Sequence, residues 1–231
     1  MTTVLLVRHG LTRLTGPVLA GHTPGLHLDD RGWAQARAVA ERLRVLPLAA
    51  VVSSPLDRCL DTASAVTQGR GPRGTDQEVF VEPRVVEVDY GDWTGRELKT
   101  LAKEPLWKVV QAHPSAAVFP GGEGLAGVQA RAVGAVRDWN ARLGPDATYA
   151  LVAHGDVIKA VLSDALGQHL DAFQRIVVDP CSVSVVSYTD LRPFVSRVND
   201  TGGSFEALVP KKKRGRRRRA SSDAAVGGGG G

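Results

Sequence analysis

The sequence predicts an α/β fold: a three-layer sandwich with a mostly parallel central sheet, helices on both faces, and a small helical and loop insertion over the C-terminal edge of the sheet. Three observations predict it. Short apolar runs without helical spacing alternate with amphipathic stretches, giving strand, helix, strand, helix. Two of the runs end alike, "LLVRHG" near the start and "ALVAHGD" near residue 150, as if two strands brought a histidine and a glycine to one edge. Finally, 231 residues with 43% apolar content are enough for one sizeable core.

The elements follow in order. Residues 3–8 read as a buried strand. In "DDRGWAQARAVAERLRVL" the spacing of Trp33, Ala36, Ala40 and Leu43 predicts an amphipathic helix. "LAAVVSS" is a second strand. It feeds "PLDRCLDTASAV", where Ser54 is expected to cap, Pro55 to occupy the first helical position, and Leu56, Leu60 and Ala63 to face the core. Residues 68–76 are a loop, and "EVFVEPRVVEV" is an extended segment broken at Pro83. The mixed stretch of about 88–124, with short helical pieces around Leu98 and Trp107, is expected to be a cap-like insertion. A long helix then carries Leu125, Val128, Ala132, Val136, Trp139 and Leu143 on one stripe. The strand "TYALVAH", the helix "DVIKAVLSDALG" and two strands near 183–189 and 193–198 complete the pattern. In such a sheet ligands bind beyond the carboxyl ends of the strands, where both His-Gly endings sit.

Charge and cysteine content narrow the class. The net charge of +5 is local: eight of the 29 basic residues lie in "KKKRGRRRR" (Lys211–Arg219), leaving 21 basic against 23 acidic side chains in residues 1–209. Residues 1–209 therefore read as one slightly acidic domain. The segment 210–231, like-charged and then Gly-rich, reads as a disordered tail, first a solvated appendage and second a weak polyanion contact through Lys211–Arg219. No apolar run suits a signal peptide or a membrane span, and Cys59 and Cys181 lack both metal-type spacing and a disulfide framework. A cytoplasmic protein without a membrane partner is expected. Arg outnumbers Lys 22 to 7, as in the proteins of GC-rich bacterial genomes.

The topology brings Arg8, His9, Arg58 and His154 to one rim. Two guanidiniums and two imidazoles would repel one another without an anion between them, and a phosphoryl group matches the planar fork of Arg. Helix N-termini near Pro55 and Gly155 add their attraction. A neutral imidazole is also a nucleophile toward phosphorus. Glu87, in "VVEVDYGDWTG", is the candidate acid for the leaving oxygen, with Asp89 and Glu82 as alternatives. No cluster has metal-ligand spacing, so neither metal nor cofactor is expected.

"VRHG", "SSPLDRCLDTA", "EVDYGDWTG", "PGGEG" and "VAHGD", in this order over about residues 3–190, resemble the histidine phosphatase superfamily, phosphoglycerate mutase-like branch. The loop "GPVLAGHTPGLHLDDRG" is most similar to an actinobacterial group labelled "probable phosphomutase". The resemblance implies that His9 is the phosphorylated nucleophile, that Arg8, Arg58, His154 and Thr12 bind the phosphate, and that Glu87 is the proton donor and later the base for water. It implies a metal-independent phosphomonoesterase of a small phosphorylated metabolite, with a phosphomutase as the alternative. A catalytically weak protein with a nucleic-acid-binding tail is a third reading. Two departures stand out: Thr15 occupies a position often held by Asn, which is expected to weaken one polar contact in the phosphate pocket, and Gly124 replaces a common Ser.

Several residues keep two readings. His22, His27 and Arg13 either contact substrate or are exposed loop residues. Tyr90 and Trp93 wall the pocket or belong to the core. Asp156 orients His154 or is a helix N-terminal charge, and Thr12 has a second reading as a turn residue. The sequence fixes no oligomeric state and is compatible with a dimer.

Overall fold

The computed structural model describes residues 1–71 and 74–202. The expected tail, residues 210–231, lies outside them. Six strands form one sheet: β1 (Thr2–Arg8), β2 (Ala50–Ser53), β3 (Val79–Val81), β4 (Thr148–Ala153), β5 (Val183–Tyr188) and β6 (Pro193–Asp200), in the order β3-β2-β4-β1-β5-β6. The β1–β4, β2–β3 and β2–β4 pairs are parallel, while β5 and β6 join antiparallel at one edge. The sheet is thus mostly parallel, as expected.

Alternation along the strands sorts the core into two layers. Val4 and Leu6 of β1, with Tyr149 and Leu151 of β4, face α5 (Leu125–Leu143) and α6 (Gly155–Ala165). Leu5 and Val7, with Ala150 and Val152, face α1 (Asp30–Leu43) and α2 (Asp57–Thr67). Both faces being covered, β1 and β4 read as unbroken apolar runs. The insertion carries α3 (Leu98–Leu101) and α4 (Pro105–Ala112), and its Leu101, Val110 and Phe119 join the cluster on the α5 side. Trp93 belongs there too, stacked on Trp107 at 6.2 Å and edge-on to Phe119 at 5.4 Å, which decides for the core reading of that residue.

The start of α2 departs from expectation. The helix begins at Asp57 with Leu56 at its N-cap and no side-chain cap; Ser54 lies two residues earlier, its hydroxyl 3.4 Å from the Leu56 backbone nitrogen and 2.7 Å from His154 Nε2. The buried stripe is correspondingly rotated: Cys59, Ala63 and Val66 are buried, whereas Leu56 and Leu60 are half-buried. That rotation turns Arg58 inward. Among the described residues, no helix is long and apolar enough to cross a membrane.

Candidate active site

β1 and β4 run parallel and in register, with Arg8 opposite Ala153, so the residue after each strand emerges at the same rim. These are His9 and His154, their rings edge-on with centroids 5.3 Å apart. Gly10 follows His9 because α1 crosses closely behind it: a Cβ at Gly10 would come within 2.7 Å of the Gly32 carbonyl oxygen.

The hydrogen bonds around each imidazole assign its tautomer. His9 Nδ1 lies 2.7 Å from the Gly10 carbonyl oxygen and must donate to it. Its Nε2 is therefore an acceptor, and Arg58 Nε donates to it at 3.2 Å. His154 is arranged in the opposite sense. Its Nδ1 accepts from Arg58 Nη2 at 3.3 Å, and its Nε2 donates to Ser54 Oγ at 2.7 Å.

Arg58, in the first turn of α2, leans back toward the rim. Its Nη2 also donates to the Gly21 carbonyl at 2.8 Å, whereas its Nη1 is buried with no hydrogen-bond partner. A buried donor of this kind calls for an acceptor, and an anion oxygen beside Arg58 would supply it. Arg8 is buried as well, and its Nη1 donates to the Val178 carbonyl at 2.7 Å. With both guanidiniums enclosed and two imidazoles between them, the site is cationic without counting the histidines. Burial, then the charges of Arg58 and Arg8, lower His9 well below the ordinary histidine range. Burial and Arg58 do the same to His154, with His9 and Arg8 adding to the effect. Both shifts favour the neutral rings.

Glu87 comes from the segment after the 3-10 turn Pro83–Val85 and lines the same pocket as Arg8, His9, Thr12, Arg58 and Tyr90. Its Oε2 is 3.9 Å from His154 Nδ1. Burial, followed by the charge of Asp156, pushes its carboxyl up to about 7 against the opposing pull of Arg58 and Arg8. A carboxyl at that value is half protonated near neutrality and suits both giving and taking a proton. The alternative acids are placed elsewhere. Glu82 is paired with Arg84 at 2.9 Å and accepts from Trp139 Nε1 at 3.1 Å, and Asp89 accepts from the Gly91 backbone at 3.0 Å. Neither lines the pocket.

The family model of the histidine phosphatase superfamily (branch 1) matches residues 4–201, nearly all of the described chain. The chain belongs to this superfamily. It is 33% identical over 193 residues to the Probable phosphoglycerate mutase GpmB of Cronobacter sakazakii, covering 81% of this chain and 86% of that protein. It is 31% identical over 212 residues to Phosphoserine phosphatase 1 of Hydrogenobacter thermophilus, covering 87% and 93%. Among solved structures, a mycobacterial glucosyl-3-phosphoglycerate phosphatase superposes with a TM-score of 0.76 at 26% identity, covering 86% of this chain and 98% of that one.

In this histidine phosphatase superfamily member the structure also separates the residues left with two readings. Thr12 is buried in the pocket wall, and its hydroxyl lies 3.0 Å from the Thr15 hydroxyl, which accepts from the Thr12 backbone at 3.0 Å. Thr15 therefore supplies a local polar partner at the position where a contact was expected to be weakened. Tyr90 meets both readings: it lines the pocket and is buried in the core, edge-on to Phe119 at 5.0 Å. Asp156 does not hydrogen-bond His154; it accepts from the Tyr90 hydroxyl at 2.8 Å. His22 Nε2 lies 2.6 Å from the Glu87 carbonyl oxygen, while His27 pairs with Asp61 at the surface. Arg13 is exposed.

Sequence reasoning missed Ser54 as the partner of His154, and Arg131. From α5, Arg131 donates to the carbonyls of Arg84, Val86 and Glu87 at 2.7, 2.8 and 3.1 Å and pairs with Glu123 at 2.7 Å. It fixes the backbone on which Glu87 stands. A signal for it existed only in retrospect, as a basic residue on the helix eight positions after the acid of "PGGEG", which precedes that helix.

Proposed function

We propose that this chain is a phosphomonoesterase that hydrolyses a small phosphorylated metabolite through a phosphohistidine at His9, without a metal. The observation that carries the reading is the tautomer of His9: Nδ1 is committed to the Gly10 carbonyl, which makes Nε2 the acceptor on the pocket side, held by Arg58 Nε until the guanidinium turns to the phosphoryl oxygens and frees the lone pair. The phosphoryl oxygens would be held by Arg8 and Arg58, whose buried Nη1 would gain an acceptor, with His154 and Thr12 completing the ring of donors. An approaching dianion favours the protonated form of His154, reversing the effect of the two guanidiniums.

In the first step His9 Nε2 forms a bond to phosphorus as the P–O bond to the leaving group breaks, and Glu87 gives its proton to the departing oxygen. In the second, water attacks the phosphohistidine, the Glu87 carboxylate takes the proton, and inorganic phosphate leaves with His9 restored. The Gly10 carbonyl stabilises the positive ring while Nε2 carries phosphorus.

The experiment is a screen of phosphorylated metabolites for phosphate release, with and without EDTA; unchanged rates in EDTA are expected. A phosphomutase, favoured by the similarity to GpmB, would use the same residues and return the phosphoryl group to a second hydroxyl. It would yield an isomeric phosphate ester and little free phosphate. The segment of about 88–124, above the pocket, would set the outcome by admitting or excluding water.

We further propose that residues 1–209 are the catalytic domain, with 88–124 as its cap, and that the enzyme is cytoplasmic and of actinobacterial type. Two buried free cysteines support a reducing compartment. The basic segment Lys211–Arg219 would give weak, salt-sensitive contact with polyanions, to be tested by whether removal of 210–231 abolishes low-salt retention on heparin.

A further inference from the structure

Part of the pocket wall takes no part in the steps above. Besides its cationic groups, the cavity is lined by Val18, Leu19 and Ala20, from the loop after Thr12, and by Leu98 at the start of α3, all apolar. The two segments that supply them are tied together. Leu98 N–H donates to the Pro17 carbonyl at 3.0 Å, Leu19 N–H to the Arg96 carbonyl at 2.9 Å and Gly95 N–H to the Leu19 carbonyl at 2.8 Å, with Val18 bridged to Glu97. The loop then turns at Gly21, where φ is +49° and a Cβ would come within 2.8 Å of Thr94 Oγ1. The Gly21 carbonyl accepts from Arg58 Nη2 at 2.8 Å, so the apolar wall is fixed to the guanidinium that would hold the phosphoryl group. We propose that Val18, Leu19 and Leu98 are specificity-determining residues that receive the leaving group, and that the substrate is a phosphate monoester of an uncharged, apolar alcohol, esters carrying a carboxylate being rejected. This rests on the phosphomonoesterase reading and deepens it.

The charges around this wall decide what it accepts. Apart from Arg8 and Arg58, which the phosphoryl oxygens would occupy, no Lys or Arg among the described residues lines the cavity. The basic side chains on the neighbouring segments already have partners: Arg96 pairs with Glu104 at 2.6 Å, Lys99 with Glu97 at 2.9 Å, and Arg131 with Glu123 at 2.7 Å. Arg13 lines a different cavity, with Leu26 and His27. The hydroxyls in the pocket are engaged too, that of Tyr90 by Asp156 at 2.8 Å and that of Thr15 by Thr12 at 3.0 Å. The acid that lines the cavity is Glu87, whose carboxylate form repels a second carboxylate. With a volume of only about 30 Å³, the cavity gives a leaving group no room to avoid these side chains. An apolar group gains there from burial, whereas a carboxylate gives up its water and finds no counter-charge.

The test is kcat/KM of the full-length protein on a matched pair, propyl phosphate and the phosphate ester of 3-hydroxypropanoate, which differ by a methyl group against a carboxylate, with nitrophenyl phosphate as the reference ester. Propyl phosphate should be favoured by at least about tenfold, the cost of burying an ionised group without a partner. Leu98→Lys should shrink or reverse that preference by raising kcat/KM for the carboxylate ester, whereas Leu98→Ala should lower the value for propyl phosphate and leave the carboxylate ester no better. Leu98 is half-buried, and if Leu98→Lys does not fold, Val18→Lys carries the same test. Equal values for the two esters in the wild type, a wild-type preference for the carboxylate, or a preference unmoved in a folded Lys variant overturns the proposal. Hydrolysis of nitrophenyl phosphate through His9 would in that case leave the phosphomonoesterase reading standing. Failure to release phosphate from all three esters removes that reading and this inference with it.

Discussion

Arg58 Nε donates to His9 Nε2 at 3.2 Å, so the guanidinium that would bind the phosphoryl group also orients the atom that would attack it, and must release that atom's lone pair as the phosphoryl group arrives. Binding and orientation are joined in one side chain. Arg58→Lys keeps the charge but not the fork, and steady-state kinetics should show a loss in kcat/KM of about 10²–10³-fold. A loss below tenfold would mean that charge alone is needed.

Ser54→Ala removes the oxygen that holds His154 Nε2, leaving its buried N–H only the weak acceptor Cys59 Sγ at 3.4 Å. The expected cost is about 1–3 kcal/mol of stability. A kcat reduced roughly tenfold accompanies it, because the ring is free to take the other tautomer. Thermal unfolding and kinetics on the same preparation check both, and an unchanged kcat would place His154 outside the reaction.

Stability should depend on pH in a way set by three buried groups. His9 and His154 are depressed, so their contribution is present above the unfolded value near 6.5 and is lost as pH falls below it. Glu87, raised to about 7, works in the opposite direction, since the folded state holds its proton between 7 and the unfolded 4.5. Two protons taken up by the unfolded chain against one already held by the folded chain leave a net loss of stability on acidification below about 6.5. Glu87→Gln should make that loss steeper, because the opposing proton is gone. Denaturant titrations across that range measure both slopes, and equal slopes would mean that Glu87 is ionised in the folded state.

The same groups show where the sequence was informative. β1 and β4 were legible because strands buried on both faces are apolar throughout, and the histidines stood out as the polar residues that end them. Arg58 was legible from its place in the first turn of a helix. Ser54 has the pattern of a cap, and its local contact to the Leu56 backbone is long at 3.4 Å, while its short partner at 2.7 Å is 100 positions away. Of the two readings of Asp156, a charge in the first turn of α6 matches its place, whereas orientation of His154 does not, since its side chain reaches Tyr90, 66 positions earlier. Arg131 carried no motif, since its role is to satisfy backbone carbonyls, which have no sequence signature.

Glu87→Gln should slow alkyl phosphates far more than aryl phosphates. An alkoxide leaves poorly unless protonated as the P–O bond breaks, whereas nitrophenolate departs unaided, so a loss of about 10²–10⁴-fold is expected for the former and a small one for the latter. The rate of the first phosphoryl transfer on both classes separates proton donation from binding. Equal losses would assign Glu87 to substrate positioning alone.

The central claim is covalent transfer to His9, and the most direct measurement is acid quench of the enzyme during turnover of a ³²P-labelled substrate, followed by mapping of the acid-labile phosphate. Phosphate on the peptide containing His9, absent in a folded and inactive His9→Ala variant, is the predicted result. Label on a Ser or Asp, or a His9→Ala variant that keeps most of its activity, would contradict it.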